Sequence, residues 1–306
     1  MMLLRHRDEL NQMTVPLHLA LGVFDGVHLG HQAVIAAARQ RADALGGSCG
    51  VVTFDPHPIR VLAPERAPRQ LLASLEHKAC LLGRLNMGFL LALEFNRALA
   101  EMSAEDFLEW LVDKRNIATL AVGEDWRFGK ARQGDVALLR KAGAARGFEV
   151  VSVAPVMHDG ERISSTRIRQ TIRDGAMNRA AEMLARSYSV EGYVAEGRQL
   201  GRTLGFPTAN VVLGEEQLPP DGVWVVRGCL DEVSWNGVAN LGNRPTVDGT
   251  NHTLEVHLFD YFGDLYGRLL EVEFVHHLRD ERKFASLDEL RAQITIDADR
   301  ARRYFS

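Results

Sequence analysis

Several features are scarce in this 306-residue chain, and each scarcity excludes a class of protein. The three cysteines, Cys49, Cys80 and Cys229, form no C-x-x-C pair, which excludes a cysteine-based zinc site and a disulfide-stapled miniprotein. Lys and Arg total 36 against 40 Asp and Glu, so a net charge of −4 lacks the basic excess typical of nucleic-acid binders. The longest apolar run, residues 87–93, is far shorter than the roughly 20 residues of a membrane helix.

The N-terminus also lacks the apolar core of a signal peptide. Together these absences predict a cytoplasmic protein with free thiols, no membrane or nucleic-acid partner, and no obligate protein partner. The remaining composition, 46% hydrophobic and 25% charged, is that of an ordinary globular protein. At about 150 residues per domain, the length suggests two domains. The sequence pattern changes near residues 186–189 without a low-complexity linker, so we expect domains over residues 1–186 and 187–306.

The first half alternates between strand and helix patterns. The predicted strands are residues 17–24, 50–54, 89–93, 117–122 and 148–153. The predicted helices are residues 30–45, 74–85, 103–114, 135–145, 165–173 and 178–184. Because strands that alternate with helices need crossover connections, this half is predicted to be an α/β domain with a parallel sheet covered by helices on both faces.

The second half consists of short strands divided by Gly, Pro, Asn and Asp. The predicted strands are residues 190–195, 223–230, 234–241, 253–259 and 269–278. This pattern favours an antiparallel barrel or sandwich. Ser286 and Glu289 form a capping box that opens a final helix reaching nearly to Tyr304.

A glycine- and histidine-rich loop follows the first strand, with the sequence Gly22-Val23-Phe24-Asp25-Gly26-Val27-His28-Leu29-Gly30-His31. Open α/β sheets bind ligands at the carboxyl ends of their strands, where helix N-termini favour phosphates. Because His28 and His31 are three residues apart, both imidazoles share one face and could donate hydrogen bonds to a triphosphate. Taken alone, the glycines could be simple turn geometry, and the histidines could be a metal pair, although no third ligand is evident.

Three later segments carry further polar groups. Phe54-Asp55-Pro56-His57-Pro58 follows the second strand, and Gly123-Glu124-Asp125-Trp126-Arg127-Phe128-Gly129 follows another strand. The segment Arg162-Ile163-Ser164-Ser165-Thr166-Arg167-Ile168-Arg169 opens a helix. Hydroxyls, backbone amides and arginines at a helix start can clamp phosphate oxygens, although a serine cap with solvated arginines has the same pattern.

A second group of candidate residues lies in the second half. In Gly201-Arg202-Thr203-Leu204-Gly205-Phe206-Pro207-Thr208-Ala209-Asn210, Thr208 and Asn210 are two residues apart in an extended segment and so point to one side. Their hard oxygen atoms suit Mg²⁺, although a turn with a Thr/Asn cap is an equally good reading. Glu255 projects opposite the apolar face of Leu254, Val256 and Leu258, as a general base or as an ordinary exposed strand glutamate.

Taken together, these motifs resemble a known family. The G-x-F-D-G-x-H-x-G-H loop resembles nucleotidyltransferases, and G-R-T-x-G-F-P-T-A-N, Asn240-Leu241-Gly242-Asn243-Arg244-Pro245-Thr246 and Leu254-Glu255-Val256-His257 resemble riboflavin kinase. In this order, over nearly the whole chain, they resemble the prokaryotic bifunctional riboflavin kinase/FAD synthetase (FMN adenylyltransferase) family. The resemblance implies a Rossmann-like nucleotidyltransferase domain, followed by an antiparallel riboflavin-kinase β-barrel with a C-terminal helix.

The resemblance also implies two reactions. The second half would phosphorylate riboflavin to FMN with ATP and Mg²⁺, and the first half would transfer AMP from a second ATP to FMN, giving FAD and pyrophosphate. In the first half, His28 and His31 would be catalytic, and Asp55, Pro56 and His57 would lie on the FMN side. The groups implied to bind ATP and its phosphates are Gly22, Phe24, Asp25, Gly26, Gly30, Gly123, Asp125, Arg127, Arg162, Ser164, Ser165, Thr166 and Arg169.

In the kinase half the resemblance implies that Glu255 is the base and that Thr208 and Asn210 hold Mg²⁺. The other residues implied to contact ATP or flavin are Gly201, Arg202, Gly205, Phe206, Pro207, Arg279 and Asp280. Two departures from the family pattern are Val23, where many members have Asn, and Trp126, where Phe is usual. The alternatives are that one half has lost its activity and only binds flavin or nucleotide, or that the whole chain is a non-catalytic flavin-binding protein.

Overall fold

The structure, a computed structural model, describes residues 1–197, 200–231, 233–246 and 249–306. Of residues 200, 244–246 and 249–251 only the backbone is described. The side chains at the end of the 240–246 motif, residues 244–246, therefore lie outside what the structure describes. The chain forms two units. The first consists of Met1–Arg69 and Leu75–Ser165, and the second of Gln70–Ser74 and Thr166–Ser306.

The first unit is built on a six-stranded sheet in which all the paired strands are parallel. Its strands are β1 (Met2–Leu4), β2 (Leu17–Leu21), β3 (Ser48–Asp55), β4 (Phe89–Glu94), β5 (Ile117–Gly123) and β6 (Glu149–Val153). They are ordered β1-β4-β3-β2-β5-β6, so the chain winds outward from β2 through β3 and β4 and then resumes on the other side of β2 with β5. The strand order therefore reverses between β2 and β5, and the carboxyl ends of these two strands are where such sheets bind ligands.

Helices connect these strands, and a two-stranded hairpin follows them. The helices of this part are α1 (Leu29–Leu45), α2 (Pro58–Leu62), α3 (Leu75–Arg84), α4 (Arg97–Ala100), α5 (Ala104–Val112) and α6 (Val136–Arg146). The hairpin pairs β7 (Met157–His158) with β8 (Glu161–Arg162). All five residues of β2 are buried, as expected for a central parallel strand covered on both faces. Its leucines and the aromatic residues of α5 belong to one hydrophobic core.

The second unit is a closed barrel of six strands whose neighbours all pair antiparallel. The strands are β9 (Tyr188–Ala195), β10 (Ala209–Val211), β11 (Gly222–Leu230), β12 (Val233–Thr246), β13 (Gly249–Leu258) and β14 (Leu269–Arg279). The helices are α7 (Ser165–Arg173), α8 (Met177–Leu184), α9 (Leu200–Thr203) and α10 (Leu287–Tyr304). Helix α7 begins on the last residue of the first unit and continues in the second.

The predicted fold class is confirmed for both halves, and the barrel replaces the open choice between barrel and sandwich. The predicted N-cap Ser286 accepts the backbone N–H of Glu289, and Ser103, the first residue of the predicted helix 103–114, caps α5 by accepting the backbone N–H of Asp106. The sequence analysis missed β1 and β10, which have three residues each and are too short to show a strand periodicity. It also missed α2, α4 and α9, which have four or five residues.

Candidate functional site

The loop between β2 and α1 brings the two predicted histidines together. His28 is the N-cap of α1, and its Nδ1 accepts the backbone N–H of His31 at 3.3 Å. The two imidazoles are stacked, with ring centroids 3.5 Å apart and planes 19° from parallel. The pair therefore stands at the N-terminus of a 17-residue helix, where the helix dipole and free N–H groups attract anions.

His31 is the electrostatically unusual member of the pair. Burial lowers its pKa well below the usual value of 6.5, and the neighbouring charges of His28, Lys78 and Arg162 lower it further. Its Nδ1 is closed off from solvent and has no hydrogen-bond partner among the described residues. A neutral imidazole with an unused buried nitrogen is suited to a polar ligand that enters the loop.

The loop itself is held in a constrained shape. Phe24 has φ of 51°, and its ring meets the ring of His31 edge-on, with centroids 5.3 Å apart. Gly22 passes close beneath this ring, since a Cβ there would lie 3.0 Å from Phe24 Cζ. Asp25 is buried, and its carbonyl accepts a hydrogen bond from Ser165 Oγ at 2.9 Å. The loop after β2 and the start of α7 are thus joined at Ser165.

The segment after β5 joins the same region through an ion pair. Asp125 accepts a hydrogen bond from Arg162, and this contact is the first cause of its lowered pKa. Arg127 pairs instead with Asp135, the N-cap of α6, at 2.9 Å. Gly123 ends β5, and a Cβ there would lie 3.2 Å from Asp125 Oδ1. Asp125 and Arg162 are therefore coupled to each other, whereas the guanidinium of Arg127 is engaged elsewhere.

An aromatic cavity of about 310 Å³ lies beside these residues. Asp125, Arg127 and Val23 line it together with five aromatic residues, Phe54, Phe95, Phe107, Trp126 and Phe128. Trp126 and Phe128 are stacked, with centroids 4.4 Å apart. Apolar walls with a few charged groups are typical of sites for flat organic ligands. The sequence analysis quoted Phe54, Trp126 and Phe128 within longer segments but did not assign them to a cavity. It did not single out Phe95 and Phe107, because the cavity is assembled from different elements of the α/β unit.

The remaining residues predicted for the first half are placed less centrally. The Asp55 carboxylate forms an ion pair with Arg5 at 3.1 Å. His57 caps α2 through its Nδ1, which accepts Ile59 N–H at 3.2 Å. Pro56, which lies between Asp55 and His57, is exposed. Gly26, with φ of 82°, and Gly30 complete the turn into α1. Ser164 is half-buried beside Ser165.

Thr166 and Arg169 belong to the second unit, although they continue the same helix. Arg169 is buried, and its guanidinium lies 3.3 Å from Thr166 Oγ1. Both residues thus sit on the first two turns of α7, C-terminal to Ser165.

In the barrel, Glu255 lies between two asparagines on neighbouring strands. The strand register places Glu255 opposite Asn210 on β10 and opposite Asn240 on β12. Directly paired residues share one face of a sheet, so the three side chains form a polar row. Leu254, Val256 and Leu258 are buried, which confirms that Glu255 and His257 project to the other face of β13.

A cavity of about 270 Å³ covers Glu255. Its walls come from the barrel, from the segment after β14 and from α10. The lining residues are Gly201, Leu204, Phe206, Thr208, Val223, Val238, Ala239, Asn240, Glu255, His257, Arg279, Glu281, Arg282, Phe284, Leu290, Ile294 and Asp297. Thr208 therefore borders the same cavity as Glu255, whereas Asn210 lines a different cavity and its amide packs against Gly197.

The loop before β10 is fixed by hydrogen bonds. Phe206 N–H donates to the carbonyl of Gly201 at 2.8 Å, and a Cβ on Gly201 would collide with the Phe206 carbonyl. His257 Nδ1 lies 2.8 Å from the Pro207 carbonyl, which can only accept, so this nitrogen carries the proton. Burial is the main cause of the lowered pKa of His257. These contacts hold Thr208 in the wall of the cavity that Glu255 also lines. Gly205, with φ of 88°, lies in the turn between Gly201 and Phe206.

Three other residues predicted for this half lie in different places. Arg279 is bound by the buried Asp297 of α10, with Nη2 to Oδ2 at 2.7 Å and Nε to Oδ2 at 3.0 Å. Its guanidinium forms part of the cavity wall. Asp280 is 92% exposed and lies outside the cavity lining. Arg202 borders a neighbouring cavity of about 530 Å³ that Pro207, Thr208 and the loop at Tyr261 and Tyr266 also line.

Several residues that line the Glu255 cavity were not singled out from the sequence. Glu281 accepts a hydrogen bond from Asn240 Nδ2 at 3.0 Å, and Arg282 stacks over the ring of Phe284 at 4.8 Å. Both residues follow Arg279 and Asp280 directly in the sequence. The run of charged residues at the end of the last strand could therefore have indicated that this segment belongs to a site. Within the described ranges, no group of three or more His, Cys, Asp or Glu residues is arranged to hold a metal ion. In the same part of the chain, no helix is long and apolar enough to cross a membrane.

Comparisons with known proteins match both halves. A family model described as FAD synthetase matches residues 11–167, and one described as riboflavin kinase matches residues 184–305. Curated proteins named bifunctional riboflavin kinase/FMN adenylyltransferase are 39% identical in Haemophilus influenzae, over 100% of both chains, and 41% identical in Escherichia coli K12, over 94% of this chain and 92% of that one. The protein of that name in Pseudomonas fluorescens is 44% identical, over 92% of this chain and 91% of its own.

A solved structure shows the same fold across the whole chain. It is a Streptococcus pneumoniae protein described as a macrolide-efflux protein, with a TM-score of 0.83, 30% identity and 97% coverage of both chains. Its name refers to macrolide efflux, whereas both family models and the curated relatives are named for flavin chemistry. The fold is thus shared over the full length, and the enzyme names agree with the two cavities described above.

Proposed function

Because this chain belongs to the bifunctional riboflavin kinase/FMN adenylyltransferase family, we propose that its two sites act in succession on one flavin. The barrel phosphorylates riboflavin to FMN, and the α/β unit converts FMN to FAD. The observation that carries this proposal is that each unit has its own cavity and its own reactive group. Glu255 lines the cavity of the barrel, and the His28–His31 pair stands at the switch point of the sheet.

In the barrel, Glu255 accepts the proton of the 5′-hydroxyl of riboflavin while that oxygen attacks the γ-phosphorus of ATP. The bond from the γ-phosphorus to the bridging oxygen breaks, and ADP leaves. Phosphoryl transfer depends chiefly on positioning and charge neutralisation, so one fixed carboxylate is sufficient as a base. The apolar and aromatic wall at Phe206, Phe284 and Ile294 supports binding of the flavin ring beside Glu255.

We propose that Thr208 and Asn210 would hold Mg²⁺: Thr208 borders the Glu255 cavity, and Asn210, although it lines a second cavity, lies directly opposite Glu255 in the strand register. A hydroxyl and an amide oxygen are ligands that this ion accepts together with phosphate oxygens and water. The neutral donors leave the cation its charge for the phosphates of ATP. When bound, Mg²⁺ supplies neutralisation of the phosphate charge. The loop at Gly201, Gly205, Phe206 and Pro207, with Arg202, encloses the ATP phosphates, and Arg279 with Asp280 places the segment that follows β14 over the flavin.

In the α/β unit, a phosphate oxygen of FMN attacks the α-phosphorus of ATP, and pyrophosphate leaves. That phosphate is ionised at neutral pH, so this site needs no strong base. His28 and His31 donate hydrogen bonds to the triphosphate where negative charge develops. The FMN phosphate lies toward Asp55, Pro56 and His57, and the aromatic cavity at Phe54, Trp126 and Phe128 accommodates the flavin ring.

The other groups of this site bind ATP. Arg162, Ser164, Ser165, Thr166 and Arg169 surround its phosphates, and Asp125 orients Arg162. Gly123, Asp125 and Arg127 approach the nucleoside, while the turn at Gly22, Phe24, Asp25, Gly26 and Gly30 leaves room for the phosphates. We assign adenylyl transfer to residues 1–186 and kinase activity to residues 187–306. Three free cysteines and the use of ATP support a cytoplasmic location.

A time course with riboflavin, ATP and Mg²⁺ tests the proposal. We expect FMN to appear first and FAD to follow. Accumulation of FMN without FAD would mean that only the kinase is active, and conversion of added FMN but not of riboflavin would leave only the adenylyltransferase. If neither product formed, the chain would be a flavin-binding protein and the proposal would be wrong.

Two substitutions separate the sites. Glu255→Ala should stop FMN formation while added FMN is still converted to FAD, because the carboxylate acts only in the barrel. His31→Ala should give FMN from riboflavin but no FAD. Each variant serves as the folding control of the other. A folded variant that lost both reactions would contradict independent sites.

A further inference from the structure

Lys78 is a buried cation of the α/β unit that the proposed reaction leaves without a role. It lies on α3 and is 6% exposed. It lies on the same side of the helix as Leu81 and Leu82, three and four residues further on, so its side chain is directed into the core rather than to solvent. Burial lowers its pKa, and the nearby carboxylates of Asp25 and Asp55 act in the opposite direction. Buried lysines are uncommon unless they are paired, so this position calls for a physical reason.

The ammonium group is bound at the end of β2. Its Nζ donates to the carbonyl of Val23 at 2.8 Å and lies 3.4 Å from Thr53 Oγ1. Thr53, which is itself fully buried on β3, donates to the same carbonyl at 2.8 Å. Two donors from two different elements thus hold one carbonyl oxygen at the point where the strand becomes the H-x-G-H loop.

The residue after Val23 transmits this constraint to the histidines. Phe24 has a left-handed backbone conformation, with φ of 51°, which is costly for a residue other than glycine and needs external support. Its ring contacts the ring of His31 edge-on. The Val23 carbonyl, Phe24 and His31 therefore form a continuous path from Lys78 to the stacked imidazole pair.

Lys78 also acts on His31 through its charge. The charged groups that lower the pKa of His31 are His28 on α1, Lys78 on α3 and Arg162 on β8. Facing Lys78 are Asp25 in the loop and Asp55 at the end of β3, and Asp55 is also paired with Arg5. Lys78, His28 and Asp25 are all buried, so solvent screens their mutual interactions only weakly.

We propose that Lys78 is a positioning residue for adenylyl transfer: its ammonium fixes the Val23 carbonyl, and through Phe24 the ring of His31, and it places a buried cation behind the imidazole pair. The proposal rests on the adenylyl-transfer function proposed above. Lys78 binds no substrate atom itself. It keeps His31 oriented and uncharged, so that the ring can accept or donate a hydrogen bond when triphosphate binds.

The test compares Lys78→Met with Thr53→Val and Lys141→Met in the full-length chain. Methionine fills the volume of the lysine stem without its charge, and Lys141 is an exposed lysine on α6 that serves as the matched control. Three quantities are measured: FAD formation from FMN, FMN formation from riboflavin, and the titration of His31 followed by NMR in the ligand-free protein.

For Lys78→Met we expect FAD formation to fall by about tenfold to a hundredfold, as small misplacements of catalytic groups do. FMN formation should stay unchanged, because Lys78 belongs to the α/β unit and not to the barrel. The thermal midpoint of the α/β unit should fall, since the Val23 carbonyl and the nearby carboxylates lose a buried cationic partner, but the variant should remain folded at the assay temperature. The His31 titration should move to higher pH, because a neighbouring cation is removed. Thr53→Val should lower FAD formation less and leave the His31 titration in place, and Lys141→Met should match the parent.

Three outcomes would overturn the proposal. They are unchanged FAD formation in Lys78→Met, an unchanged His31 titration in that variant, or a parallel loss of both reactions with a lowered thermal midpoint, which would give Lys78 a purely structural role. If the parent chain formed no FAD, the proposed function would fail, yet the NMR titration would still decide whether Lys78 controls His31.

Discussion

At the scale of single residues, His31 and the carboxylate–guanidinium pair Asp125–Arg162 dominate the electrostatics of the α/β site. These residues could be identified from the sequence because the H-x-G-H loop occurs together with the Gly123–Gly129 and Arg162–Arg169 segments, and the combination resembles one family. The contacts that these side chains make could not be predicted from the sequence. That the imidazoles stack at 3.5 Å, and that Arg162 joins Asp125 rather than solvent, depends on three chain segments meeting at the switch point.

The lowered pKa of His31 predicts a pH dependence of stability. Below about pH 6.5 the unfolded chain binds a proton that the folded site excludes, so folded stability falls on acidification, by about 1.4 kcal/mol per pH unit for one such group. His31→Gln should remove this contribution. Denaturant unfolding of both proteins should give a constant difference above about pH 7.5 and a difference that shifts in favour of the variant below about pH 6. Parallel stability curves over the whole range would contradict the assignment.

Asp125→Asn tests the ion pair with Arg162. Both side chains are about half exposed, so stability should change by less than about 1 kcal/mol. FAD formation should fall about tenfold because Arg162 loses the partner that orients it toward phosphate. The control is Glu101→Gln, which breaks an exposed pair with Lys130 elsewhere on the same unit. Equal rates in the parent, Asp125→Asn and the control would show that Arg162 needs no support.

At the scale of elements, the long helices and strands followed from caps and periodicity, while the shortest ones did not. Helix α10 shows what the sequence alone could not predict about an element. Its N-cap Ser286 was readable, but the burial of Asp297 on its inner face was not, because the partner, Arg279, lies on β14 and a charged residue on a helix reads as solvent-facing. This buried pair attaches α10 and the segment after β14 to the barrel.

Asp297→Ala should destabilise the barrel by about 3–5 kcal/mol, because it leaves the largely buried Arg279 guanidinium without its carboxylate. FMN formation should be lost at temperatures where FAD formation from added FMN persists. Asp299→Ala removes an exposed carboxylate from the same helix and should behave as the parent. Thermal unfolding and the two activity assays measure this difference, and equal behaviour of the two variants would refute it.

At the scale of the whole molecule, the chain contributes a short early segment to the second unit. Gln70–Ser74 belongs with the barrel, although the residues before and after it belong to the α/β unit. Buried Glu216 binds it there, since its carboxylate accepts the backbone N–H groups of Ser74 at 2.9 Å and Glu191 at 2.8 Å. The sequence-based domains, residues 1–186 and 187–306, remain a prediction about which residues carry each activity. The compact units differ from them, since the second unit begins at Thr166 and also includes Gln70–Ser74.

Glu216→Ala should lower the stability of the barrel by about 2–4 kcal/mol, because two buried N–H groups lose a charged acceptor. Glu216→Gln, which keeps one acceptor oxygen, should lose less. The measurement is the thermal midpoint at which FMN formation is lost in the full-length chain. The control is Glu196→Ala, which removes an exposed carboxylate from the same unit. No difference between Glu216→Ala and this control would contradict the role of Glu216.

The amino-acid sequence by itself determined the fold class of both halves, the loop that carries His28 and His31, and the strand that presents Glu255. These are local properties, set by residue periodicity, capping and turn chemistry over a few neighbouring positions. Only the tertiary structure decided the strand order that creates the switch point, the aromatic cavity assembled from separate elements, the burial of Lys78 against the Val23 carbonyl and the place of Gln70–Ser74. These depend on contacts between residues far apart in the chain, and their free energies come from burial and pairing that no local pattern contains.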